Sequence, residues 1–545
     1  MKRQILFILT AVLALSAISC NKFLDKLPDN RTELDSEEKI RRLLTSAYPG
    51  STYMYYLRQM TDDYDMLDVK YPANEERFLA DAWAWKDDME EGNDSPKNTW
   101  EAHYLAIAHA NQALDAIEEL GNPEHLDPLR GEALLARAWC HFRLVNLFSQ
   151  HYSEAYGGTD LGITYMEHPE TEVNPHYERG TVKDVYAKIE RDILEGLPLI
   201  DDGIYEVPKY HFNRKAANAF AAEFFLYYRK YDECIKYADE VLGSDPRNML
   251  RNLSTFSALP FPEGQWNAYI NPSHNANLLL VTSVSEAGLS AAYGANSRYN
   301  CSEYIVRNEG LLSYSVLWTT SGILGTNVFY MPVYGLQVGG GPRGNMIFTI
   351  PYMFELTDPV NRIGFAHTVH AALTAELALL CRAEAQVHLN NLEAAMTDIN
   401  HWVAMRCRTN YNGPKTVAQV LQYYGNLPYY TPTAPTVKKR LNNDEIPLSA
   451  DQESFIHALL QLRRMEFHDT GTRWFDIKRY GIEITRRSVS NEGITDLNDI
   501  LVKRDERRAL QIPSGAIVAG VEPNPRTTTP KAIIKNGALT ITPEN

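Results

Sequence analysis

The chain has 545 residues, and 44% of them are hydrophobic, so it can bury a large core in two or three domains. It carries 53 Lys and Arg against 69 Asp and Glu, which gives a net charge of −16. A surface of that sign repels phosphate backbones and argues against nucleic acid as a partner.

The N-terminus has the pattern of a bacterial secretion signal that ends in lipidation. Lys2 and Arg3 form a basic start, residues 5–18 are almost entirely apolar, and Ser19 precedes Cys20. A small residue before a Cys is typical of a lipoprotein cleavage site, so we predict removal of residues 1–19 and acylation of Cys20. The alternative is an ordinary cleaved signal followed by a Cys without a special role.

The same segment limits how the protein attaches to a membrane. The apolar run over 5–18 is shorter than the roughly 20 residues that a membrane-spanning helix needs, and no other segment is long and apolar enough. We therefore expect the acyl chains on Cys20 to be the sole membrane attachment.

Three blocks have the apolar periodicity of helices: residues 98–148, 214–242 and 371–405. The second and third blocks can be aligned, because 222–235 matches 383–396 with a polar corner between two helical stretches. This is the pattern of tetratricopeptide repeats, which stack because one repeat cannot bury its own apolar face. We predict a mainly α protein built on a tetratricopeptide-like repeat scaffold. The alternative is a set of unrelated antiparallel helix pairs.

Long irregular segments separate these helices. They are rich in Gly, Pro and aromatic residues, too aromatic for disordered linkers, and loops of this length are usually functional. We expect ordered insertions with few short strands. The predicted division is a signal peptide over 1–19, N-terminal repeats over 20–244, an insertion over 245–370, a last repeat over 371–408, a loop segment over 409–450 and a C-terminal segment over 451–545.

No residue pattern predicts catalysis, a metal or a cofactor. The acids of the chain show no spacing that picks out the carboxylate pair of a glycosidase. His367, His370 and Glu376 do not have the H-E-x-x-H spacing of a zinc protease. Residues 87–93 place Met89 where a calcium loop needs an oxygen ligand. We predict that the protein is not an enzyme.

Aromatic residues on the irregular segments are the best candidates for binding. A sugar ring offers an apolar C–H face that stacks on an aromatic ring, while its hydroxyl groups need polar partners at the rim. For each aromatic residue, the alternative is that it anchors its own loop. The predicted ligand-binding residues fall before the first long helix and in the long insertion: Arg77, Asp81, Trp83, Trp85, Asn93, Trp266, Tyr293, Tyr299, Trp318 and Tyr334.

Near the C-terminus, residues 463–481 read RRMEFHDTGTRWFDIKRYG. This segment resembles the "RRxE…GxRWFDLxRWG" signature of the SusD/RagB family of nutrient-uptake outer-membrane lipoproteins. RAEA at 382–385, DIN at 398–400, LQIP at 510–513 and NP at 524–525 are similar to further family segments. Thr470 departs from the family pattern, which usually has an acid there. The resemblance covers the chain from end to end.

The resemblance implies a helical scaffold whose inserted loops carry the ligand site. It also implies a cell-surface lid on a TonB-dependent, SusC-like barrel transporter in the outer membrane. Family members bind oligosaccharides or peptides, and the starch-binding members build their aromatic platform from the same two regions. We interpret Glu466, Arg473 and Asp476 as a structural charge network around Trp474 and Phe475.

Three functions are therefore considered. The first is capture of nutrient oligomers, above all oligosaccharides, for the transporter. The second, within the same family, is capture of peptides. The third, from another class, is a structural or adhesive repeat protein without a nutrient ligand. The aromatic insertions favour the first, and the lack of a carboxylate pair argues against a surface glycosidase.

Overall fold

The computed structural model describes residues 34–68, 77–87, 91–170, 177–289, 298–311, 317–318, 333–337, 343–347, 350–407, 413–442, 445–526, 531–535 and 538–542. The predicted signal peptide and Cys20 lie outside these residues. The helices are α1 Glu37–Leu44, α2 Met54–Met60, α3 Arg77–Trp83, α4 Pro96–Glu119, α5 Asp127–Phe148, α6 Val182–Gly196, α7 Arg214–Tyr227, α8 Tyr231–Leu242, α9 Glu263–Tyr269, α10 Glu303–Arg307, α11 Ala375–His388, α12 Leu392–Arg406, α13 Val417–Asn426, α14 Ala450–Glu466, α15 Thr472–Arg479 and α16 Ser514–Val518.

The predicted helical repeats are confirmed. Helices α4 and α5, α7 and α8, and α11 and α12 form antiparallel pairs, and α8 packs against α11, so the second and third pairs stack. The aligned corners are equivalent in conformation: Arg229 and Asn390 both adopt left-handed backbone, with φ of 63° and 61°. A left-handed residue ends one helix and reverses the chain into the next.

Side-chain caps define where several of these helices begin. Ser95 accepts a hydrogen bond from the Asn98 amide at the start of α4, and Asn213 accepts one from the Ala216 amide at the start of α7. Ser449 and Gln452 form a reciprocal capping box at the start of α14. Each cap satisfies backbone amides that have no partner within the helix.

The strands lie in the segments that connect the helices. They are β1 Asp65–Leu67, β2 Asn277–Val284, β3 Tyr299–Ser302, β4 Val333–Gln337, β5 Arg343–Ile347, β6 Met353–Asp358, β7 Ile363–Thr374, β8 Ile484–Ser490, β9 Gly493–Leu501, β10 Lys531–Lys535 and β11 Ala538–Thr542. One sheet has the order β4-β5-β3-β1-β8-β9, a second has the order β2-β7-β6, and β10 pairs with β11. In the first sheet β1 is parallel to β8 and antiparallel to β3.

One expectation about the chain needs correction. Residues 371–374 belong to β7 and not to the third helical block, which begins at Ala375. The sheet of β2, β6 and β7 lies mostly in the segment 245–370. Ala371, Ala372 and Leu373 favour helix by themselves, but pairing with β2 overrides that local preference.

A continuous hydrophobic cluster runs through the molecule. It extends from Ile40 to Val521 and takes residues from each predicted segment after the signal peptide. Trp402 and Trp474 are among its largest fully buried side chains. Because one core includes residues from all of these segments, burial does not mark where one segment ends and the next begins. The predicted segment boundaries stay predictions. Among the described helices, none combines the length and apolar character that a membrane span requires.

Candidate functional site

The two aromatic segments that the sequence singled out meet in space. Trp83 at the end of α3 packs against Tyr299 at the start of β3, with 5.0 Å between the ring centroids and 39° between the planes. Beside them, Tyr55 stacks on Phe78 with 5.6 Å between centroids and 9° between planes. Tyr299 and Phe78 are half-buried. We call the exposed part of this group, together with Arg77, the Tyr299 surface.

Local structure fixes Tyr299 in this position. Strand β3 lies between β5 and β1, where Tyr299 is opposite Met66 and Asn300 is opposite Asp65. The Ser302 hydroxyl donates to the Asp65 carboxylate at the end of the strand. A residue on a central strand has little freedom to move, so the sheet holds the Tyr299 ring at a defined place.

The predicted tryptophans lie in the interior. Trp83 is 6% exposed and its indole N–H donates to the Tyr64 carbonyl at 3.0 Å. Trp85 is 3% exposed and donates to the Met60 carbonyl at 2.8 Å. The guanidinium of Arg486 covers both rings, 4.8 Å from the Trp83 centroid and 3.9 Å from the Trp85 centroid. The surroundings of both rings are those of loop anchors.

The other predicted residues have different surroundings. Trp266 and Trp318 are 5% and 0% exposed. Burial of the four tryptophans argues against their stacking on a sugar, although their place among ligand-binding residues stays a prediction. Tyr293 lies outside the described residues, and Tyr334 lies in β4.

The predicted polar residues surround the end of α3. Arg77 has an exposed side chain and donates to the buried Asp81 at 3.2 Å, and Lys86 donates to Asp81 at 2.6 Å. Asn93 is exposed, and its backbone carbonyl accepts a hydrogen bond from the Ser51 hydroxyl at 2.9 Å. Arg77 and Asn93 are therefore the predicted polar residues with side chains at the surface.

Asp94 is a residue of this region that sequence reasoning missed. Its carboxylate accepts a hydrogen bond from the Glu286 backbone N–H at 2.7 Å and another from the Ser285 hydroxyl. Burial raises the pKa of Asp94. The contact joins the segment before α4 to the segment after β2, so it gives a second link between the two aromatic regions. The sequence contains no signal for this role of Asp94, because the N-terminal segment has many other acidic residues.

A buried acid–base cluster lies behind the Tyr299 surface. Its acids are Asp62, Asp63, Asp65 and Glu309, and its bases are Lys439, Arg464, Arg473 and Arg487. Lys439 donates to Glu309 at 2.8 Å, and Arg464 donates to Glu309 at 3.2 Å. Burial raises the pKa of Glu309, but the charges of Lys439, Arg487 and Arg464 outweigh it and lower the pKa to about 2. The cluster ties the β3–α10 segment to α14 and β8.

The single charge network predicted for the C-terminal signature is wrong. The three residues are buried and paired, but each in a separate group. Glu466 accepts from Arg406 and from the Trp402 indole N–H, the latter at 2.7 Å. Arg473 donates to Asp62 within the acid–base cluster. Asp476 accepts from Arg463 at 3.0 Å and Arg479 at 2.7 Å. Helices α14 and α15 point their charges to different sides, which sequence spacing does not reveal.

A cavity of about 70 Å³ lies between α2, α5 and β7. Its lining includes His103, Trp139 and the bidentate pair of Arg143 and Glu223, whose two N–O distances are 2.9 and 2.7 Å. Ligand pockets usually reach about 300–1,000 Å³, so this cavity is too small for an oligomer. No group of three or more His, Cys, Asp or Glu suited to a metal ion occurs within the described part of the chain.

Comparisons with known proteins agree with the fold. A family model described as "Starch-binding associating with outer membrane" matches residues 22–226, and a model described as "SusD family" matches residues 374–515. No curated protein matches the sequence. The chain belongs to the SusD/RagB family.

Solved structures show the same fold at low sequence identity. A SusD superfamily protein from Bacteroides thetaiotaomicron has a TM-score of 0.60 and 16% identity, covering 90% of this chain and 99% of that one. A SusD-like carbohydrate-binding protein from Bacteroides vulgatus has a TM-score of 0.58 and 16% identity, covering 89% and 96%. A laminarin-binding SusD-like protein has a TM-score of 0.53 and 15% identity, covering 90% and 99%. This similarity extends to the scaffold of helices and sheets.

Proposed function

We propose that this protein binds nutrient oligosaccharides at the cell surface and delivers them to a TonB-dependent, SusC-like barrel transporter. In this proposal the protein is held on the outer membrane by acyl chains on Cys20. The glycan binds at the Tyr299 surface, where an aromatic ring and the Arg77 side chain are accessible, and we assign the exposed Asn93 to the same site. The protein does not cleave its ligand.

The observation that carries the proposal is the meeting of the two aromatic segments at the contact of Trp83 with Tyr299. The SusD/RagB family supports it, because one matching family model is described as starch-binding and outer-membrane-associated. The relatives named as carbohydrate-binding and laminarin-binding have the same fold. The buried Trp83 supports the Tyr299 ring, and Tyr299 itself contacts the sugar.

Stacking explains how such a surface binds a neutral glycan. The C–H face of a pyranose lies on the Tyr299 ring, and the exposed Arg77 and Asn93 side chains provide hydrogen bonds to hydroxyl groups. A neutral ligand engages no ion pair, so binding is expected to be insensitive to salt. Affinity is expected to be modest, because a protein that hands its cargo to a transporter must release it.

Titration calorimetry of the mature protein against plant, host and microbial glycans tests the proposal, with parallel analysis for cleavage products. We expect at least one glycan to bind without cleavage, and Tyr299→Ala to weaken it by about 3- to 10-fold. Tyr210→Ala is the matched control, because Tyr210 is 37% exposed and lies on a turn outside this surface. A newly formed reducing end would indicate an enzyme.

Peptides are the second class of ligand to be titrated. Binding of peptides and no glycan would assign the protein to peptide capture. The absence of both, together with binding to other surface proteins, would favour a structural or adhesive role. Co-purification with a barrel transporter expressed in the same cells tests the delivery step, and failure to recover any barrel protein would contradict it.

A further inference from the structure

A cleft of about 260 Å³ opens between α4, residues 164–170 and residues 516–521. Its lining shares no residue with the Tyr299 surface. We call it the aromatic cleft, because the rings of Trp100, Tyr104 and Tyr177 line it. Trp100 and Tyr104 lie one helical turn apart on the same face of α4, with 4.7 Å between ring centroids and 51° between planes.

The acid of this lining is Glu170, and His168 lines the cleft as well, with its ring nitrogen 3.3 Å from the Asp115 carboxylate. Glu170 lines the cleft with an exposed side chain, and the Tyr177 hydroxyl donates a hydrogen bond to its carboxylate. Among the described residues of the lining there is no Lys or Arg. Met166 and Val521 complete apolar walls. Aromatic faces beside a carboxylate attract a cation, and apolar walls favour one whose charge is covered by carbon.

The cleft is built before any ligand arrives. The Tyr104 hydroxyl donates to the Thr164 carbonyl at 2.8 Å, and the Asn111 amide donates to the Met166 carbonyl at 3.1 Å. The Met166 N–H in turn donates to the ring of His141 at 3.0 Å. The edge of the Trp100 ring packs against Phe148, 4.8 Å away. These bonds fix residues 164–166 against α4, so a ligand need not order the walls.

Two arginines lie behind the lining, and both are engaged. Arg137 donates to the buried Asp192 carboxylate at 2.6 Å, which neutralises its charge. Arg179 donates to the Gly162 carbonyl at 2.8 Å and to the Glu522 carbonyl at 2.9 Å. Neither lines the cleft.

We propose that the aromatic cleft binds an organic cation with apolar substituents, of the size and chemistry of a quaternary ammonium group. The half-buried Tyr104 and Tyr177 provide cation–π contacts, with the buried Trp100 packed behind Tyr104. Glu170 provides the opposite charge at the rim, and the aliphatic walls receive the methyl groups. A neutral sugar fits worse, because most of the wall offers no partner for its hydroxyl groups. The site goes beyond the glycan binding proposed above and does not depend on it.

Choline and its uncharged carbon isostere 3,3-dimethylbutan-1-ol are the matched probes for this site. Titration of the mature protein, followed by calorimetry and ligand-observed NMR, is expected to show choline binding about 3- to 30-fold more tightly than the isostere. Equal binding of the two probes would overturn the cationic site, and so would the absence of choline binding. Methyl glucoside is the third probe, and its binding in place of choline would assign the cleft to sugars.

Variants locate the binding within the cleft. Tyr177→Ala removes a ring and is expected to weaken choline binding about tenfold, whereas Tyr177→Phe keeps the ring and about the same affinity. Ala519→Trp, at an exposed lining residue, is expected to abolish binding with an unchanged melting temperature. Glu170→Gln provides a second surface variant and is expected to weaken choline but not its isostere. Choline binding that persists in both Tyr177→Ala and Ala519→Trp would overturn the proposal.

The Tyr299→Ala variant separates this site from the glycan surface. Tyr299→Ala is expected to leave choline affinity unchanged. The glycan proposal and the choline proposal can therefore be contradicted independently of each other. Vesicles of phosphatidylcholine compared with phosphatidylglycerol distinguish the source of the cation. Preference for phosphatidylcholine, lost in Ala519→Trp, would identify a lipid headgroup, and choline binding without that preference would identify a free cation.

Discussion

Lys478 shows how a single residue of the C-terminal signature stabilises the repeat scaffold. Lys478 is a buried residue of α15, and its side chain reaches the carboxyl end of α5. There its ammonium group donates to the Asn146 and Ser149 carbonyls, each at 2.6 Å. The last carbonyls of a helix have no partner within it, so Lys478 satisfies that of Asn146 in the last turn of α5 and also that of Ser149, the residue after the helix. Burial, with the nearby Arg508, lowers the pKa of Lys478 to about 7.

Lys478→Met is expected to lower the free energy of unfolding by about 1–3 kcal/mol at pH 9, where the buried amine is neutral and the variant loses its hydrogen bonds to the two carbonyls. The loss is expected to be smaller at pH 6. The folded pKa lies below the ordinary value of 10.5, so the folded state binds fewer protons between about pH 7 and 10.5, and Lys478 adds stability as pH rises. Urea denaturation at both pH values measures this, and a larger loss at pH 6 would contradict it.

Arg473 tests the acid–base cluster. Its guanidinium donates to the Asp62 carboxylate at 2.9 and 2.8 Å, and both residues are buried. Arg473→Ala removes the guanidinium that makes two bonds to the buried Asp62, which keeps Lys439 as its remaining close partner, and is expected to cost about 3–5 kcal/mol, measured by urea denaturation. Lys97→Ala, which breaks the exposed pair with Glu91, is the control and should cost about 0–1 kcal/mol. If Arg473→Ala melts like the parent but no longer binds ligand, the result would contradict a structural role and indicate a binding site near the C-terminus.

At the scale of elements, the two aligned helix corners carry the same backbone strain. Asn390 joins α11 to α12 with a φ of 61°, in the left-handed region where side chains are disfavoured. Asn390→Gly is expected to stabilise the protein by up to about 1 kcal/mol, and Asn390→Val to destabilise it by about 1–2 kcal/mol. Urea denaturation measures both.

The neighbouring residue is a control of opposite sign. Asn391 has a φ of −92°, and its side chain donates to Gln386 at 3.0 Å. Asn391→Gly gains nothing from relief of strain and adds freedom to the unfolded chain, so it is expected to destabilise. Equal effects of glycine at 390 and 391 would show that the left-handed corner is not the cause.

Sequence periodicity found the helix pairs but not β7. The helix pairs depend on contacts between neighbouring turns, which a local pattern records. Residues 371–374 contain Ala and Leu, which favour helix, and extend a strand because β2 lies beside them. Strand pairing joins residues that are far apart in the chain, so the local pattern does not contain it.

At the scale of the whole molecule, buried ionisable groups set the dependence of stability on pH. Burial lowers the pKa of His103 and His388 to about 4. Arg143 adds to this effect at His103, and at His388 the charge of Glu384 opposes it while Arg479 and Arg229 add to it. Burial raises the pKa of Glu309 and Glu384, but neighbouring basic charges outweigh it and lower both to about 2. All four folded pKa values lie below the ordinary ones, so the folded state binds fewer protons than the unfolded state in acid.

We therefore expect the free energy of unfolding to be highest above about pH 6.5. It should fall as pH drops from about 6.5 to 4 through the histidines, and fall further below about pH 4.5 through the carboxyl groups. Urea denaturation between pH 8 and 4 measures the first step. His103→Phe should make this step smaller, because the variant lacks one of the buried imidazoles that gain a proton. A free energy that is constant from pH 8 to 4 would contradict the assignment.

Cys20 determines the proposed location of the whole protein. Cys20→Ala is expected to shift the protein from the outer-membrane fraction to the soluble or inner-membrane fraction, because the acyl chains are its only proposed anchor. Fractionation followed by immunoblotting measures the shift. Cys407→Ala, which changes a partly buried thiol, is the control and should leave the distribution unchanged. Unchanged recovery of Cys20→Ala in the outer membrane would contradict lipidation.

The sequence by itself determined the helical repeats, the family of the C-terminal signature and the two aromatic regions. Each of these is written in neighbouring residues, as periodicity, as a motif or as local composition. Only the tertiary structure decided which aromatic rings reach the surface. Trp83 and Trp85 were among the predicted sugar-binding residues, yet Arg486, some 400 residues away in the chain, covers both rings. The acid–base cluster likewise joins Asp62 to Arg473, because burial of charge requires partners that only the folded chain brings together.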